Sequence, residues 1–271
     1  MTTPNRSVDA LLDLAARLGA FGVELRNDLG RDIFGGHSPQ DVGQQASERG
    51  LKILAVAEIK AFNSPDVDMQ KAKALIRQAQ ACGALGVALI PAVLTHETAR
   101  DVQREMLRTS LTRLRPLLEE HQQVGLIEPI GFGTSTLRFK QDVADVLHAI
   151  GRPACFGIIH DTFHHCLAES DTLQADLTML MHISGVDDPA PQVDELEDKH
   201  RVLVGPRDRL GSVAQIKALA DNGYDGPISF EAFAPDIHNL TDPSAALAGS
   251  IDHIAHSLAE NAGRVRATET L

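Results

Sequence analysis

The amino-acid sequence predicts an α/β fold, a (β/α)8 TIM barrel formed by one domain of residues 1–271. Short apolar runs alternate with helical patterns along the whole chain, which indicates βα units and a parallel sheet. Several of the later runs end on a carboxylate or an imidazole, and side chains at the carboxyl ends of barrel strands converge. A length of 271 residues also suits one barrel better than two domains.

The first half of the chain predicts four helices that alternate with three strands. Ser7 is a suitable N-cap for the first helix, and Gly19, Gly50 and Gly83 are expected to end the first three helices. Pro116 is expected to kink the fourth helix or to start its last section. The expected helices are 7–18, 39–49, 66–82 and 99–122, and the expected strands are 21–25, 51–57 and 85–90.

The second half predicts four more strands, each preceded or followed by a helical pattern or a loop. The expected strands are 124–128, 156–161, 179–182 and 228–231, and the expected helices are 140–150, 212–222 and 243–262. The connection 185–209 is far longer than an ordinary βα loop, so we expect it to form a wall of the substrate site. Residues 264–271 are expected to be a flexible tail.

That count gives seven strands where a complete barrel has eight, because the chain opens directly on a helix. The segment 2–5 is too short for a strand and contains Pro4. We therefore expect a barrel whose first strand is missing or displaced.

Composition excludes several functional classes. The net charge is −12, from 37 acidic and 25 basic residues, which argues against a nucleic-acid partner. The three cysteines have an odd count and no CxxC spacing, so a reduced, cytoplasmic protein is expected. The sequence shows neither a long apolar span nor a signal peptide, so no membrane partner is expected.

Four potential metal ligands lie at the ends of the last four expected strands. They are Glu128, Asp161, His182 and Glu231. This mixed oxygen and nitrogen set suits a divalent ion, with Mn²⁺ or Zn²⁺ expected first and Mg²⁺ or Co²⁺ as alternatives. Three clustered carboxylates would repel one another without a cation. The competing interpretation is that each residue is an ordinary solvated group at a strand end.

Other polar residues at the same end of the barrel are candidates for substrate binding. His164 follows Asp161 by three residues and either contacts a substrate hydroxyl or caps a turn. Four charged residues at the ends of early strands either bind substrate or form salt bridges around the rim; they are Glu24, Arg26, Glu58 and Lys60. Arg207 and Arg209, in the long loop, either bind a phosphate or carboxylate group or are solvated charges, and that choice stays open.

Such a site suits proton transfer beside a carbonyl group. A metal that chelates a carbonyl oxygen and the neighbouring hydroxyl stabilises an enediolate. One glutamate then takes the proton and another returns it, roles that fit Glu128 and Glu231. No organic cofactor is required, since the sequence has neither a Rossmann fingerprint nor a lysine placed at a strand end for Schiff-base chemistry.

Segments along nearly the whole chain resemble the xylose-isomerase-like TIM-barrel superfamily and, within it, the bacterial 2-keto-myo-inositol (inosose) isomerases. The segments that carry the resemblance are 22–29, 125–132, 160–165, 182–185, 200–204 and 223–232. The resemblance implies that Glu128, Asp161, His182 and Glu231 bind the metal and that His164 contacts substrate. Arg201, in the segment 200–204, is a further candidate for substrate binding. Members of the superfamily often form dimers or tetramers, which makes a homo-oligomer compatible with the resemblance.

The expected function is a metal-dependent isomerase of a keto-cyclitol or ketose in carbohydrate metabolism, with inositol catabolism as its context. The alternatives are a ketose epimerase, a lyase such as an inosose dehydratase, and a non-catalytic sugar-binding barrel. The resemblance weakens a 3-epimerase function, because this chain has Thr134 where those relatives carry a further glutamate.

Overall fold

A computed structural model describes residues 1–170 and 172–268. One parallel sheet of seven strands, hydrogen-bonded in the order of the sequence, forms its centre. The strands are β1 (Gly22–Arg26), β2 (Lys52–Lys60), β3 (Gly86–Ile90), β4 (Val124–Ile127), β5 (Phe156–Asp161), β6 (Thr178–Ile183) and β7 (Ile228–Phe230). This nearly closed sheet with helices around it confirms the predicted barrel.

The helices connect successive strands and cover the outside of the sheet. They are α1 (Val8–Arg17), α2 (Pro39–Glu48), α3 (Met69–Ala81), α4 (Arg100–Glu120), α5 (Lys140–Ala149), α6 (Thr162–Leu167), α7 (Ser212–Asp221), α8 (Pro235–His238) and α9 (Pro243–Thr268). Ser7 caps α1 as predicted, because its hydroxyl accepts a hydrogen bond from the Ala10 amide at 3.3 Å. None of the helices in the described part of the chain has the length and apolar character that a membrane span requires.

The apolar core lies in two layers, one on each face of the sheet. The larger layer packs side chains of α1 to α5 against the outer face of the strands. The smaller one consists of buried strand residues alone, which places it inside the barrel. This inner layer combines three alanines with four larger aliphatic side chains, so small and large residues together fill the interior. The alanines are at positions 55, 57 and 88, and the larger residues are Leu54, Leu126, Ile159 and Leu180.

The barrel is open between its two end strands, β1 and β7. Residues 2–5 form no strand, but the Thr2 hydroxyl donates to the Phe230 carbonyl at 2.8 Å and accepts from the Ala232 amide at 3.0 Å. A cavity of about 490 Å³ lies between the two edges, lined by β1, β7, α1 and α9. The predicted missing first strand therefore corresponds to a gap in the sheet.

Four local features differ from the sequence prediction. Helix α4 continues as an α-helix through Pro116. A helix, α6, begins directly after Asp161, where no helix was predicted. The long loop contains two short 3-10 turns, and α8 was not predicted. Helix α9 includes residues 264–268, and residues 269–271 lie outside the described part of the chain, so the predicted flexibility of 264–271 stays a prediction.

Candidate metal centre

The structure brings the four predicted metal ligands together at the carboxyl end of the barrel. One ligand atom from each of Glu128, Asp161, His182 and Glu231 lies within 4.8 Å of the others, and all four residues are buried. Asp161 and His182 are register partners on β5 and β6. The amides of Glu128 and Glu231 donate to the carbonyls of Leu89 and Ile183, so the sheet ladder fixes both backbones.

The imidazole of His182 lies between carboxylates on both of its edges. Its Nδ1 is 3.3 Å from Glu231 Oε2 and 3.6 Å from Glu128 Oε1, without the geometry of a hydrogen bond. Its Nε2 is 3.1 Å from Glu24 Oε2. A buried ring nitrogen that faces two carboxylates and has no hydrogen-bond partner is what a metal ligand requires. The donor set therefore fits a divalent ion.

Arg201 lies beside this cluster with its guanidinium group buried. Its Nη2 donates to Asp161 Oδ2 and, at 3.0 Å, to Glu231 Oε2. The rings of Phe163 and Phe233 flank the guanidinium group at 4.9 Å and 4.7 Å from their centroids. A pair of hydrogen bonds between residues 185 and 202 folds the long loop back onto the end of β6 and so delivers Arg201 to the site.

The other substrate-binding candidates are placed at different depths. Arg26 Nη1 donates to Glu231 Oε1 at 2.7 Å, and its Nη2 lies 3.9 Å from Glu58. The His164 ring is buried against Phe132, and its Nδ1 has no hydrogen-bond partner. Lys60 is exposed at the end of β2. The structure thus places Arg26, Arg201 and His164 next to the ligand cluster, Glu58 beside Arg26, and Lys60 on the rim.

The two arginines of the long loop make contacts within the loop. Arg207 pairs with Asp187 at 2.7 Å. Arg209 donates to the carbonyls of Asp188 and Pro191. These bonds stabilise the fold of the loop itself.

Burial and mutual repulsion separate the pKa values of the two glutamates. Burial raises the pKa of Glu128 to about 7, and the charge of Glu231 adds to that rise. Burial also acts to raise the pKa of Glu231, but His182 and Arg201 outweigh it and hold that pKa well below its ordinary value. Burial lowers the pKa of His182, yet the charges of Glu24, Glu231 and Glu128 raise it well above its ordinary value. The metal-free site therefore holds protons where a cation would otherwise bind.

Sequence reasoning missed two residues that complete the surroundings of the site. Glu24 was treated as a rim residue, but its carboxylate reaches His182 from β1, on the far side of the opening in the sheet. Lys140, the first residue of α5, is buried with its Nζ 2.9 Å from His165 Nδ1. Burial lowers the pKa of Lys140 to about 7, although the charges of Asp161 and Glu128 oppose this. A lysine at the polar start of a helix, followed by Gln141 and Asp142, carries no signal of such burial in the sequence.

Comparisons with known proteins agree with this fold. The sequence is 24% identical over 251 residues to an inosose isomerase of Bacillus velezensis, which covers 89% of this chain and 88% of that protein. A xylose isomerase domain-containing protein of Salmonella typhimurium LT2 superposes with a TM-score of 0.84 at 28% identity, over 95% of this chain and 94% of the other. The IOLI protein, solved with a bound zinc atom, gives a TM-score of 0.81 at 20% identity over 95% of both chains.

The model of one protein family matches residues 12–256, which is most of the chain. That range extends from α1 to α9 and includes all four ligands. The chain belongs to the xylose isomerase-like TIM barrel family.

Proposed function

We propose that this protein is a divalent-metal-dependent isomerase of a ketose or keto-cyclitol, with 2-keto-myo-inositol as the substrate to test first. The observation that carries the proposal is the buried cluster of three carboxylates around an imidazole nitrogen that has no hydrogen-bond partner. The relatives named inosose isomerase support the choice of substrate class.

Glu128, Asp161, His182 and Glu231 would hold the metal, His182 through Nδ1. The zinc found in the IOLI protein supports zinc as the first ion to test, with Mn²⁺, Mg²⁺ and Co²⁺ beside it. When bound, a divalent ion would stabilise the negative charge that develops on the substrate oxygens as a proton leaves the carbon beside the carbonyl.

The protein groups that move the proton are Glu128 and Glu231. Glu231 is ionised at neutral pH in the metal-free site, because His182 and two arginines lower its pKa, and a carboxylate is the form that accepts a proton. In the metal-free site the pKa of Glu128 is about 7, so there it both holds and releases a proton near neutral pH. Two carboxyl groups whose surroundings push their pKa values apart are suited to complementary acid and base roles.

The remaining candidates would orient the substrate. His164 offers a buried ring nitrogen to a hydroxyl group, since its Nδ1 is otherwise without a partner. Arg201 is held rigidly between two phenylalanine rings, and Arg26 is held by Asp28 and Glu231, so both guanidinium groups are fixed in place before substrate arrives. Glu58 and Lys60, farther out on β2, would meet the outer part of a polyol.

The proposal is tested by NMR of metal-loaded protein with 2-keto-myo-inositol in D₂O, against protein treated with EDTA. We expect conversion to an isomeric inosose, with metal-dependent deuterium exchange beside the carbonyl group. Deuterium exchange without net conversion would support the proton-transfer chemistry and would indicate that the substrate is another ketose. Absence of exchange with every metal tested would refute the isomerase.

The same experiment separates the alternatives. A dehydratase would give a product lighter by one water, and an epimerase would invert a carbinol centre without moving the ketone. If the protein is a non-catalytic sugar-binding barrel, Glu231→Gln is expected to bind the ligand with the affinity of the wild type, and neither protein is expected to show turnover.

A further inference from the structure

The two ring nitrogens of His182 have different surroundings. Nδ1 faces Glu231 and Glu128 within the ligand cluster. Nε2 points the other way, and its neighbour at 3.1 Å is the Glu24 carboxylate. The His182 side chain is 3% exposed and that of Glu24 13%, so water screens this contact little.

Glu24 approaches His182 from across the barrel. It lies on β1, whereas His182 lies on β6, and β1 ends the sheet without pairing with β7. The bond therefore joins two elements that no strand ladder connects directly. A second polar contact, from Arg26 of β1 to Glu231 after β7, spans the same opening. Both contacts end on members of the ligand cluster.

We propose that Glu24 is a positioning residue for the metal centre. This inference rests on the metal site of the proposed function. The Glu24 carboxylate can only accept a hydrogen bond, so Nε2 must carry the hydrogen. In neutral His182 the Nδ1 lone pair is then free and turned toward Glu128 and Glu231. Glu24 thus selects the tautomer and fixes the ring orientation that a metal ligand needs.

Loss of this support is expected to weaken metal binding, although Glu24 itself does not join the cluster. Carboxylates that hold a metal-bound imidazole raise its basicity and limit its rotation, and their removal costs 10- to 100-fold in affinity. Gln at this position retains one oxygen acceptor without the charge. Glu24→Gln should therefore bind metal with an affinity between those of the wild type and Glu24→Ala.

The first test is Zn²⁺ affinity, measured by competition with a chelator. Glu24→Ala is expected to bind Zn²⁺ about 10- to 100-fold more weakly than the wild type. Glu58→Gln is the matched control, because Glu58 is also a partly buried carboxylate, on the neighbouring strand β2, but lies beside Arg26 and does not contact His182. Its Zn²⁺ affinity is expected to equal that of the wild type. Thermal unfolding of the metal-free variants shows whether each is folded. If Glu24→Ala is not folded, Glu24→Gln replaces it in the affinity measurement.

The second test detects the hydrogen bond between His182 Nε2 and Glu24 directly. In Zn²⁺-loaded protein, ¹⁵N-edited NMR of the His182 ring is expected to show a downfield Nε2 proton that exchanges slowly and is lost in Glu24→Ala. Wild-type Zn²⁺ affinity together with an unchanged ring proton in both Glu24 variants would overturn the inference and leave the metal centre intact. A wild-type protein that binds no Zn²⁺, Mn²⁺ or Co²⁺ would overturn the metal centre, and the role of Glu24 with it.

Discussion

Replacing Lys140 by methionine is expected to stabilise the protein at neutral pH and to lose that advantage at high pH. Lys140 is 5% exposed, and burial lowers the pKa of its ammonium group from 10.5 to about 7. Between these two pH values the unfolded chain binds a proton that the folded chain does not. The free energy of unfolding of the wild type therefore rises with pH across this window, relative to a variant without the amine.

The size of this change in the free energy of unfolding follows from the difference between the two pKa values of Lys140. One pKa unit corresponds to about 1.4 kcal/mol, so the ammonium group costs at most about 5 kcal/mol below pH 7. Between pH 7 and pH 10 about 3 kcal/mol of that cost disappears. Methionine has a similar volume but loses the contact with His165, which sets a constant offset of about 1 kcal/mol between the two proteins.

The assay is urea unfolding of the wild type and Lys140→Met at pH 7, 8.5 and 10. EDTA is present throughout, because a bound cation would oppose the charges of Asp161 and Glu128 that act on Lys140. Lys71→Met, on the exposed face of α3, controls for the loss of one surface ammonium group. Unfolding free energies of wild type and Lys140→Met that stay parallel over this range would refute the buried, deprotonated lysine.

Three further results are expected. Zn²⁺ at 100 times its dissociation constant should raise the free energy of unfolding by about 2.7 kcal/mol, and EDTA should reverse this in a urea titration. Glu231→Gln should lower kcat by about 10²- to 10⁴-fold while substrate still binds, as measured by turnover and by calorimetry. Gly131→Ala should cost about 1–3 kcal/mol in urea unfolding and lower activity, because an added Cβ would lie 2.3 Å from the His164 carbonyl oxygen. Absence of stabilisation by Zn²⁺ would contradict the metal site, and wild-type behaviour of Glu231→Gln or Gly131→Ala would contradict the role given to that residue.

The positions of the four candidate ligands could be predicted because each follows a local rule. An apolar run ends, and the next polar side chain emerges at the carboxyl end of the barrel. Glu128 and Glu231 come directly after β4 and β7, and Asp161 is the last residue of β5. The alternation of strand and helix patterns in the sequence predicts that the sheet curves into a barrel. That curvature brings one ligand atom of each residue within 4.8 Å of the others, and predicting it requires no knowledge of individual contacts.

The residues around the ligands could not be assigned in the same way. Arg201 is 40 residues from Asp161 in sequence and reaches it only because the loop pairs with the end of β6. Glu24 is 158 residues from His182, and their contact depends on the opening between β1 and β7. Such contacts arise from loop geometry and from a missing strand, neither of which leaves a periodic pattern in the sequence.

The charges at the centre of the barrel show why a divalent ion suits this site. Four carboxylates whose side chains are at most 13% exposed contact His182 or Arg201 there, and two guanidinium groups face them. The carboxylates are Glu24, Glu128, Asp161 and Glu231, and the guanidinium groups are those of Arg26 and Arg201. With His182 neutral, these four carboxylates outnumber the two guanidinium groups, which also pair with the more exposed Asp28 and Asp198. The negative charge is therefore only partly compensated in a buried site, where unpaired charge is costly.

In the metal-free protein, protons provide that compensation. The pKa of His182 is raised well above its ordinary value by Glu24, Glu231 and Glu128, against the effect of burial, and burial raises the pKa of Glu128 to about 7. A divalent cation would supply the same two positive charges at one point between the ligand atoms. It would also leave His182 neutral and Glu128 ionised, which are the forms that bind a metal. The two arginines thus compensate only part of the negative charge of these residues, and a divalent cation would compensate more of it.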